Sequence, residues 1–188
     1  VSVYDGADFD EKDVPKFGKT ILVFISQSGE TRDLYNGILI AKKLKLFTVG
    51  IINVVDSLIA REVDCGVYCN AEREVGVAST KAFTSQVICL SLFLGWFSQI
   101  HFKDKFILKD FLLDLQQLSS DFKNCIDSSY KKIKEYIPLF KNSNLFLLGK
   151  NCDEYISREG SLKIKEISYI HSEAYSSSSL KHGPFALL

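Results

Sequence analysis

Short apolar runs alternate with helical segments along this chain of 188 residues, and this alternation restricts the fold more than any other feature. Strands that alternate with helices form a parallel sheet that helices cover on both faces. The predicted elements are, in order, strand Thr20–Ile25, helix Thr31–Lys43, strand Leu46–Ile52, short helix Ser57–Glu62, strand Cys65–Cys69, helix Ser79–Phe102, helix Lys109–Ile137, strand Leu145–Leu148 and helix Asp153–Ile170. We therefore predict an α/β fold of three layers, in which the polar, non-periodic residues 1–18 form a loop.

The pattern restarts after Pro138, and one strand and one helix after residue 143 are too few to form a domain. These elements either complete the first sheet or begin a second α/β domain. We favour a second domain, with the first over residues 1–138 and the second over residues 139–188, truncated at Leu188. The chain also lacks methionine, which indicates an internal piece of a longer protein.

Composition argues against several classes of partner. Lys and Arg total 23, as do Asp and Glu, so the net charge is zero and we expect neither nucleic acid nor a membrane surface to bind. The longest apolar stretch, Val87–Phe97, is too short to span a bilayer and is predicted to be a buried helix. No secretory signal is recognisable, and the five scattered cysteines fit a reducing compartment, so we expect a cytoplasmic location.

Metal-ligand spacing is absent from the cysteine and histidine pattern. Cys65 and Cys69 lie four residues apart, but no second cysteine or histidine pair accompanies them. With only three histidines in the chain, we expect neither a metal nor another cofactor.

The first strand–helix junction, Ser26-Gln27-Ser28-Gly29-Glu30-Thr31, is suited to hold an anion. The first N–H groups of a helix have no internal partner, and the helix dipole favours negative charge there. Ser26, Ser28 and Thr31 add hydroxyl donors, and Gly29 lets the backbone approach a ligand closely. The same residues fit equally a junction whose serines and threonine only cap the helix.

Three charged residues fall on the apolar face of the last predicted helix. At about 100° per residue, Glu159, Lys163 and Glu166 share one narrow sector. The residues around that sector are Ile156, Leu162, Ile167, Tyr169 and Ile170, and those on the opposite side are Ser157, Ser161, Lys165 and Ser168. Buried charges are costly unless they are paired or functional, and a carboxylate beside a lysine can transfer protons. We favour a catalytic role, with a structural ion pair as the alternative.

A third motif, Lys181-His182-Gly183-Pro184, lies near the end of the chain. Histidine side chains can act as acids or bases in catalysis, and the Gly-Pro pair fixes a turn beside His182. A single histidine is more often structural than catalytic, so the motif is weak evidence by itself.

Four motifs resemble the sugar-isomerase (SIS) half of the glutamine–fructose-6-phosphate aminotransferases, also called glucosamine-6-phosphate synthases. They are Ser26–Thr31, Glu74–Phe83, Lys163–Glu173 and Leu180–Pro184, in the order of the family and over nearly the whole chain from Thr20. The first motif is shared by many SIS domains that bind phosphosugars, and the other three together are more specific. The resemblance implies two flavodoxin-like SIS subdomains, of which the first lacks a strand that would precede Val1.

The resemblance also implies an activity, the conversion of fructose 6-phosphate and ammonia into glucosamine 6-phosphate. The residues that would hold the sugar phosphate are Ser26, Gln27, Ser28 and Thr31, and those that would contact the sugar are Val77 and Ser79. Glu166 would move a proton between C1 and C2, and Lys163 would assist at the sugar oxygen with Glu159 nearby. His182 would help to open the sugar ring from the neighbouring subunit of a homodimer.

The chain departs from the family pattern at several places. Ser179 stands where the family has an acidic residue, and Gly149-Lys150-Asn151 replaces a Gly-Arg-Gly-like turn. These 188 residues contain no glutaminase domain, and a C-terminal tail with an active-site lysine would follow Leu188. We therefore expect little activity from this chain alone.

Two other functions stay open at this point. One is a non-catalytic SIS module that senses a phosphosugar, which would bind its ligand without turnover. The other is a related enzyme, such as a deglycase of amino-sugar phosphates, which would use the same base on another substrate.

Overall fold

The computed structural model describes residues 1–101, 105–141 and 144–187 of the chain. The chain divides into two compact units, Val1–Leu108 and Lys109–Leu188. Each unit has its own sheet. The predicted domain boundary after residue 138 stays a prediction.

The first unit is a parallel three-stranded sheet with helices between its strands. Its elements are β1 (Ile21–Ser26), α1 (Arg32–Lys43), β2 (Phe47–Ile52), α2 (Leu58–Glu62), β3 (Cys65–Tyr68) and α3 (Lys81–His101). The strand order is β1-β2-β3, and residues 1–18 contain only a short 3₁₀ turn, Glu11–Asp13. Phe24, Ile38, Ile52 and Ile59 form the buried core of this unit, so strands and helices bury their apolar faces together. The predicted α/β fold with a parallel sheet is confirmed.

Helix α3 differs from its prediction as a buried helix. Only Ala82 and Gly95 are buried, and Leu94 and Trp96 are more than half exposed, because within the first unit this helix packs mainly on β2. The helix also extends beyond the apolar stretch on which its length was judged. With 21 residues, it is the single helix in the described part of the chain that is long and apolar enough to cross a membrane, a test that core helices of soluble proteins also pass.

The second unit contains a long helix and a strand–helix–strand element. Its elements are α4 (Lys105–Tyr136, which begins just before the division), a 3₁₀ turn (Ile137–Lys141), β4 (Asn144–Gly149), α5 (Cys152–Ser168), β5 (His171–Ser176) and a 3₁₀ turn (Pro184–Leu187). Strands β4 and β5 pair in parallel, with Asn144 opposite His171. Strand β5 was not predicted, because its sequence has no apolar run. Its partner β4 and the helix between them stabilise it.

Helix α5 faces its sheet with a side that was predicted to be polar and opposite the core. Ser161 is buried, and its hydroxyl donates a hydrogen bond of 2.7 Å to the carbonyl of Ser172. By contrast, Ile156 and Ile167 are exposed. The small residues Gly160 and Ser161 explain the difference, since they let the helix lie close to the strands.

Candidate active site

The β1–α1 loop, residues 26–31, lies at the carboxyl end of β1 and leads into α1. The buried Ser26 hydroxyl accepts a hydrogen bond from the Gly29 N–H at 2.9 Å and lies 3.4 Å from Thr31 Oγ1. Ser28 Oγ accepts the Glu30 N–H at 3.2 Å. Gly29 has φ +67°, in the left-handed region that favours glycine. The loop is therefore curled around the Ser26 hydroxyl.

The N-terminus of α1 keeps free hydrogen-bond donors. Thr31 is the N-cap residue, yet its side chain makes no capping hydrogen bond. Among the described residues, the backbone N–H groups of Arg32 and Asp33 have no acceptor. Thr31 therefore does not cap the helix through its side chain, and these donors are available to an anion. Gln27 and Ser28 are half-buried, and Thr31 is exposed at this end of the helix.

The β3–α3 loop, residues 69–80, carries Val77 and Ser79 and is closed by Glu74, which begins the motif Glu74–Phe83 but to which the sequence pattern assigned no role. Glu74 Oε1 accepts the Ser79 hydroxyl at 3.1 Å and the N–H groups of Thr80 and Ala82, each at 2.9 Å. The backbone hydrogen bond from Ala82, followed by those from Thr80 and Ser79, lowers the pKa of Glu74. Val77 is 96% exposed at the tip of the loop. The signal for Glu74 was an acidic side chain shortly before a helix N-terminus.

In the second unit, the three charged side chains of α5 come together as the spacing predicted. Lys163 Nζ lies 2.8 Å from Glu166 Oε2 and 3.4 Å from Glu159 Oε1. The side chains of Lys163, Glu159 and Glu166 are 18%, 25% and 28% exposed. Partial burial lowers the pKa of Lys163, but the hydrogen bond to Glu166 and the charge of Glu159 outweigh it, so the net shift is upward. Lys163 is therefore a cation at neutral pH.

The charge cluster combines a carboxylate that can accept a proton with an ammonium group that can stabilise negative charge. Glu166 is held by Lys163, and Glu159 supplies a second negative charge to the same ammonium group. His182 does not join this cluster among the described residues. It is exposed in a turn, where its backbone N–H donates to the Ser179 carbonyl at 3.0 Å.

Metal ligation has no candidate in the part of the chain that the structure describes. No group of three or more His, Cys, Asp or Glu side chains there could hold an ion. The β1–α1 loop, the β3–α3 loop and the α5 charge cluster offer hydrogen-bond donors, carboxylates and the ammonium group of Lys163.

Comparisons with known proteins place these residues in a family. Residues 1–95 match the family model described as SIS domain. A protein of Acanthamoeba polyphaga mimivirus, named probable glutamine–fructose-6-phosphate aminotransferase (isomerizing), is 51% identical over 190 residues, which cover 100% of this chain and 31% of the relative. The chain thus spans less than a third of the length of this relative.

Solved structures give the same result. The C-terminal domain of glucosamine-fructose-6-phosphate aminotransferase from Francisella tularensis is 38% identical with a TM-score of 0.69, over 89% of this chain and 48% of that one. Glucosamine-6-phosphate deaminase from Thermotoga maritima is 28% identical with a TM-score of 0.70, over 97% of this chain and 54% of that one. The resemblance found in the sequence is confirmed, and the chain belongs to the SIS domain family.

Proposed function

We propose that this chain is the sugar-isomerising part of a glutamine–fructose-6-phosphate aminotransferase. The complete protein would convert fructose 6-phosphate and ammonia into glucosamine 6-phosphate, with a glutaminase domain that releases the ammonia from glutamine. Relatives of this name match the chain over its whole length. The observation that carries the proposal is the half-buried cluster of Glu159, Lys163 and Glu166, because it supplies the acid–base chemistry that isomerisation needs.

The phosphate of the substrate would bind at the β1–α1 loop. A phosphate dianion suits the free N–H groups and the positive dipole end of α1. The side chains of Ser28 and Thr31 would add hydroxyl donors, Gln27 would add an amide, and the Ser26 hydroxyl would hold the loop in shape. These donors would bind only the phosphate group, so the sugar carbons would stay free for the reaction.

The sugar would contact the β3–α3 loop through Val77 and Ser79. Because the Ser79 hydroxyl donates its hydrogen to Glu74, the lone pairs of its oxygen can accept a hydrogen bond from a sugar hydroxyl. Val77 is exposed at the loop tip, so its backbone groups are accessible to a ligand.

The reaction moves a hydrogen from C1 to C2. Ammonia adds to the C2 carbonyl and water leaves, which produces an imine. Glu166 then removes a proton from C1, the C1–C2 double bond forms, and the C=N electrons take up a proton at nitrogen. Return of the proton from Glu166 to C2, with loss of the O1 proton, gives the aldehyde at C1 and the amine at C2. Lys163 would stabilise negative charge on O1 as that proton leaves.

His182 would act before isomerisation, when the sugar ring opens. We propose that it reaches the site from the partner in a homodimer of this cytoplasmic protein, which its exposed position permits. Mixing a His182→Ala protein with a Glu166→Gln protein tests this arrangement, since mixed dimers would regain one complete site. Absence of any regained activity in verified mixed dimers would rule out the shared site.

The proposed base is tested by proton exchange in the full protein that carries this chain. In D₂O, the wild-type protein is expected to incorporate deuterium into fructose 6-phosphate and glucose 6-phosphate as it interconverts them, measured by proton NMR. Glu166→Gln is expected to slow this exchange by about 10²- to 10⁴-fold, the usual contribution of a general base. The matched control is Glu154→Gln, which removes a carboxylate paired with Arg158 on the same helix.

Exchange that persists in Glu166→Gln would overturn the assignment of the base. Sugar-phosphate binding without any wild-type exchange would favour a sensor module instead. The similarity to the Thermotoga maritima deaminase favours a second candidate, a deglycase of amino-sugar phosphates. Faster conversion of glucosamine 6-phosphate to fructose 6-phosphate than the reverse reaction with glutamine would support that candidate.

A further inference from the structure

The β2–α2 segment, residues 53–59, lies between the two loops that are proposed to contact the substrate. It follows β2, the central strand of the order β1-β2-β3. The β1–α1 loop and the β3–α3 loop follow the strands on either side. Because parallel strands end at the same edge of a sheet, the three segments are neighbours there.

On one side, the β2–α2 segment is bonded to the β1–α1 loop. The N–H of Ile59 donates to the carbonyl of Gly29 at 2.9 Å. The N–H of Leu58 donates to Glu30 Oε1, also at 2.9 Å. The Glu30 carboxylate therefore accepts a hydrogen bond from the β2–α2 segment and holds the β1–α1 loop to it.

Close packing of Ser57 on Gly29 adds to these bonds. Ser57 is 3% exposed, and its hydroxyl has no hydrogen-bond partner among the described residues. A Cβ atom on Gly29 would lie 1.9 Å from Ser57 Oγ. A buried hydroxyl without a hydrogen-bond partner lowers the stability of the fold. The tight contact between these two segments is therefore kept despite that loss of stability.

On the other side, the same segment holds the β3–α3 loop through one side chain. Asn53 is 7% exposed; its Oδ1 accepts the Ala71 N–H at 2.8 Å and its Nδ2 donates to the Glu72 carbonyl at 2.7 Å. These bonds fix the start of the loop, and Glu74 closes its end.

We propose that the β2–α2 segment is the common support of both substrate-contact loops, and that Glu30 and Asn53 are the positioning residues through which it acts. The inference rests on the proposed function. Neither side chain needs to touch the substrate. Without the hydrogen bonds of Glu30 or Asn53, the loop that each one supports samples more conformations. Binding of the substrate must then order that loop, and the entropy cost of ordering lowers the affinity. Bound substrate would then react as before, so KM rises while kcat is nearly constant.

The two residues support loops that bind different parts of the ligand. Glu30 supports the loop proposed for the phosphate, so its loss weakens any ligand with a phosphate group, including inorganic phosphate. Asn53 supports the loop proposed for the sugar, so its loss weakens fructose 6-phosphate and leaves inorganic phosphate unaffected. A general loss of stability would not separate the two ligands in this way.

The experiment uses the full protein that carries this chain. Dissociation constants for inorganic phosphate and fructose 6-phosphate are measured by calorimetry, with KM and kcat, for Glu30→Ala and Asn53→Ala. Glu30→Ala is expected to weaken both ligands about tenfold, the value of one hydrogen bond to a charged group. Asn53→Ala is expected to weaken the sugar phosphate about tenfold and inorganic phosphate less than twofold.

Conservative variants and a matched control complete the test. Glu30→Gln keeps an acceptor for Leu58 and should restore most of the affinity, whereas Asn53→Asp keeps only the bond to Ala71 and should lie between wild type and Asn53→Ala. If an alanine variant does not fold, the conservative variant at the same position is measured in its place. The control Asn36→Ala makes the same change at an exposed position of α1.

Each outcome is decisive. Equal weakening of both ligands by Asn53→Ala, or a fall in kcat with KM unchanged, would overturn the inference. If the wild-type protein binds both ligands and the variants bind them with the same dissociation constants, the inference is overturned and the proposed function is left intact. Failure of the wild-type protein to bind fructose 6-phosphate would overturn the proposed function and the inference together.

Discussion

Two strand–helix junctions of this protein, β1–α1 and β4–α5, have the same local topology and opposite availability to an anion. At the first, the N-cap residue Thr31 makes no capping bond, and hydroxyl groups surround the free end of α1. At the second, the N–H groups of Asp153 and Glu154 are already bonded to the carbonyls of Lys150 and Asn151, at 3.1 and 3.2 Å.

Charge and space strengthen this difference. The first turn of α5 carries two carboxylates, Asp153 and Glu154, whereas that of α1 carries one, Asp33, next to the cation of Arg32, so repulsion of an anion is stronger at α5. Gly149 also packs so closely on this turn that a Cβ atom would lie 2.3 Å from the Asp153 backbone. A helix N-terminus after a parallel strand is therefore not in itself an anion site. The residues that satisfy or leave free its first N–H groups decide its role.

The junction glycines give the largest expected effect. Gly149→Ala forces a Cβ atom onto backbone that cannot move aside, so we expect a loss of roughly 3 kcal/mol in the free energy of unfolding. Gly29→Ala meets the Ser57 side chain and a left-handed φ, for a loss of about 2–3 kcal/mol. Urea unfolding of both variants measures these losses.

A second substitution, at Ser57, distinguishes the effect of Gly29→Ala from that of Gly149→Ala. Ser57→Gly removes the side chain that Gly29→Ala would strike, so the double variant should regain part of the lost stability. No side-chain deletion can relieve Gly149→Ala. Additive losses in the Gly29→Ala/Ser57→Gly protein would contradict the packing described for the first junction.

Removal of a junction hydroxyl gives an intermediate effect. Ser26→Ala leaves the Gly29 N–H without its acceptor, so we expect phosphate affinity to fall about tenfold in calorimetric titrations. Ser177→Ala is the control at the second junction. Its hydroxyl donates to the Gly149 carbonyl, which keeps the Ser177 N–H bond of 2.8 Å. An equal loss of affinity in both variants would show that the two junctions are not distinct.

The pH dependence of stability is the smallest expected effect and has opposite signs in the two units. In the first unit, hydrogen bonds from the Thr48 hydroxyl and backbone lower the pKa of Asp64. A lowered pKa stabilises the fold above the unfolded value, about 3.9, and this contribution is lost as pH falls through the folded pKa. In the second unit, the raised pKa of Lys163 stabilises below the unfolded value, about 10.4, and is lost as pH rises through the folded pKa.

Thermal unfolding from pH 3 to pH 11 measures both contributions. Asp64→Asn should reduce the fall in Tm on the acid side by a few degrees, and Lys163→Met should do so on the alkaline side. If the dependence of Tm on pH is the same in both variants as in the wild-type protein, Asp64 and Lys163 do not contribute to it.

Sequence patterns predicted the elements with a strong periodic signal. The bounds of β1, α1 and β2 agree with the predicted ones within one residue, because apolar runs and helical spacing mark them clearly. The clustering of Lys163 with Glu159 and Glu166 followed from their three- and four-residue spacing on one helix.

Other features depend on tertiary contacts that periodicity does not encode. Strand β5 is polar and forms through pairing with β4, and Ser161 is buried because a small side chain lets α5 approach the sheet. The supporting bonds of Glu30 and Asn53 join segments that are 18 to 28 residues apart. No local pattern shows which backbone group such a side chain will meet.

An NMR titration of the ¹⁵N-labelled protein with inorganic phosphate and fructose 6-phosphate tests directly whether the β1–α1 junction, and not the β4–α5 junction, binds the phosphate group. We expect the amide signals of residues 28–33 to shift with both ligands, and those of residues 150–154 to stay unchanged. Saturable shifts at residues 150–154, with residues 28–33 unchanged, would contradict this expectation.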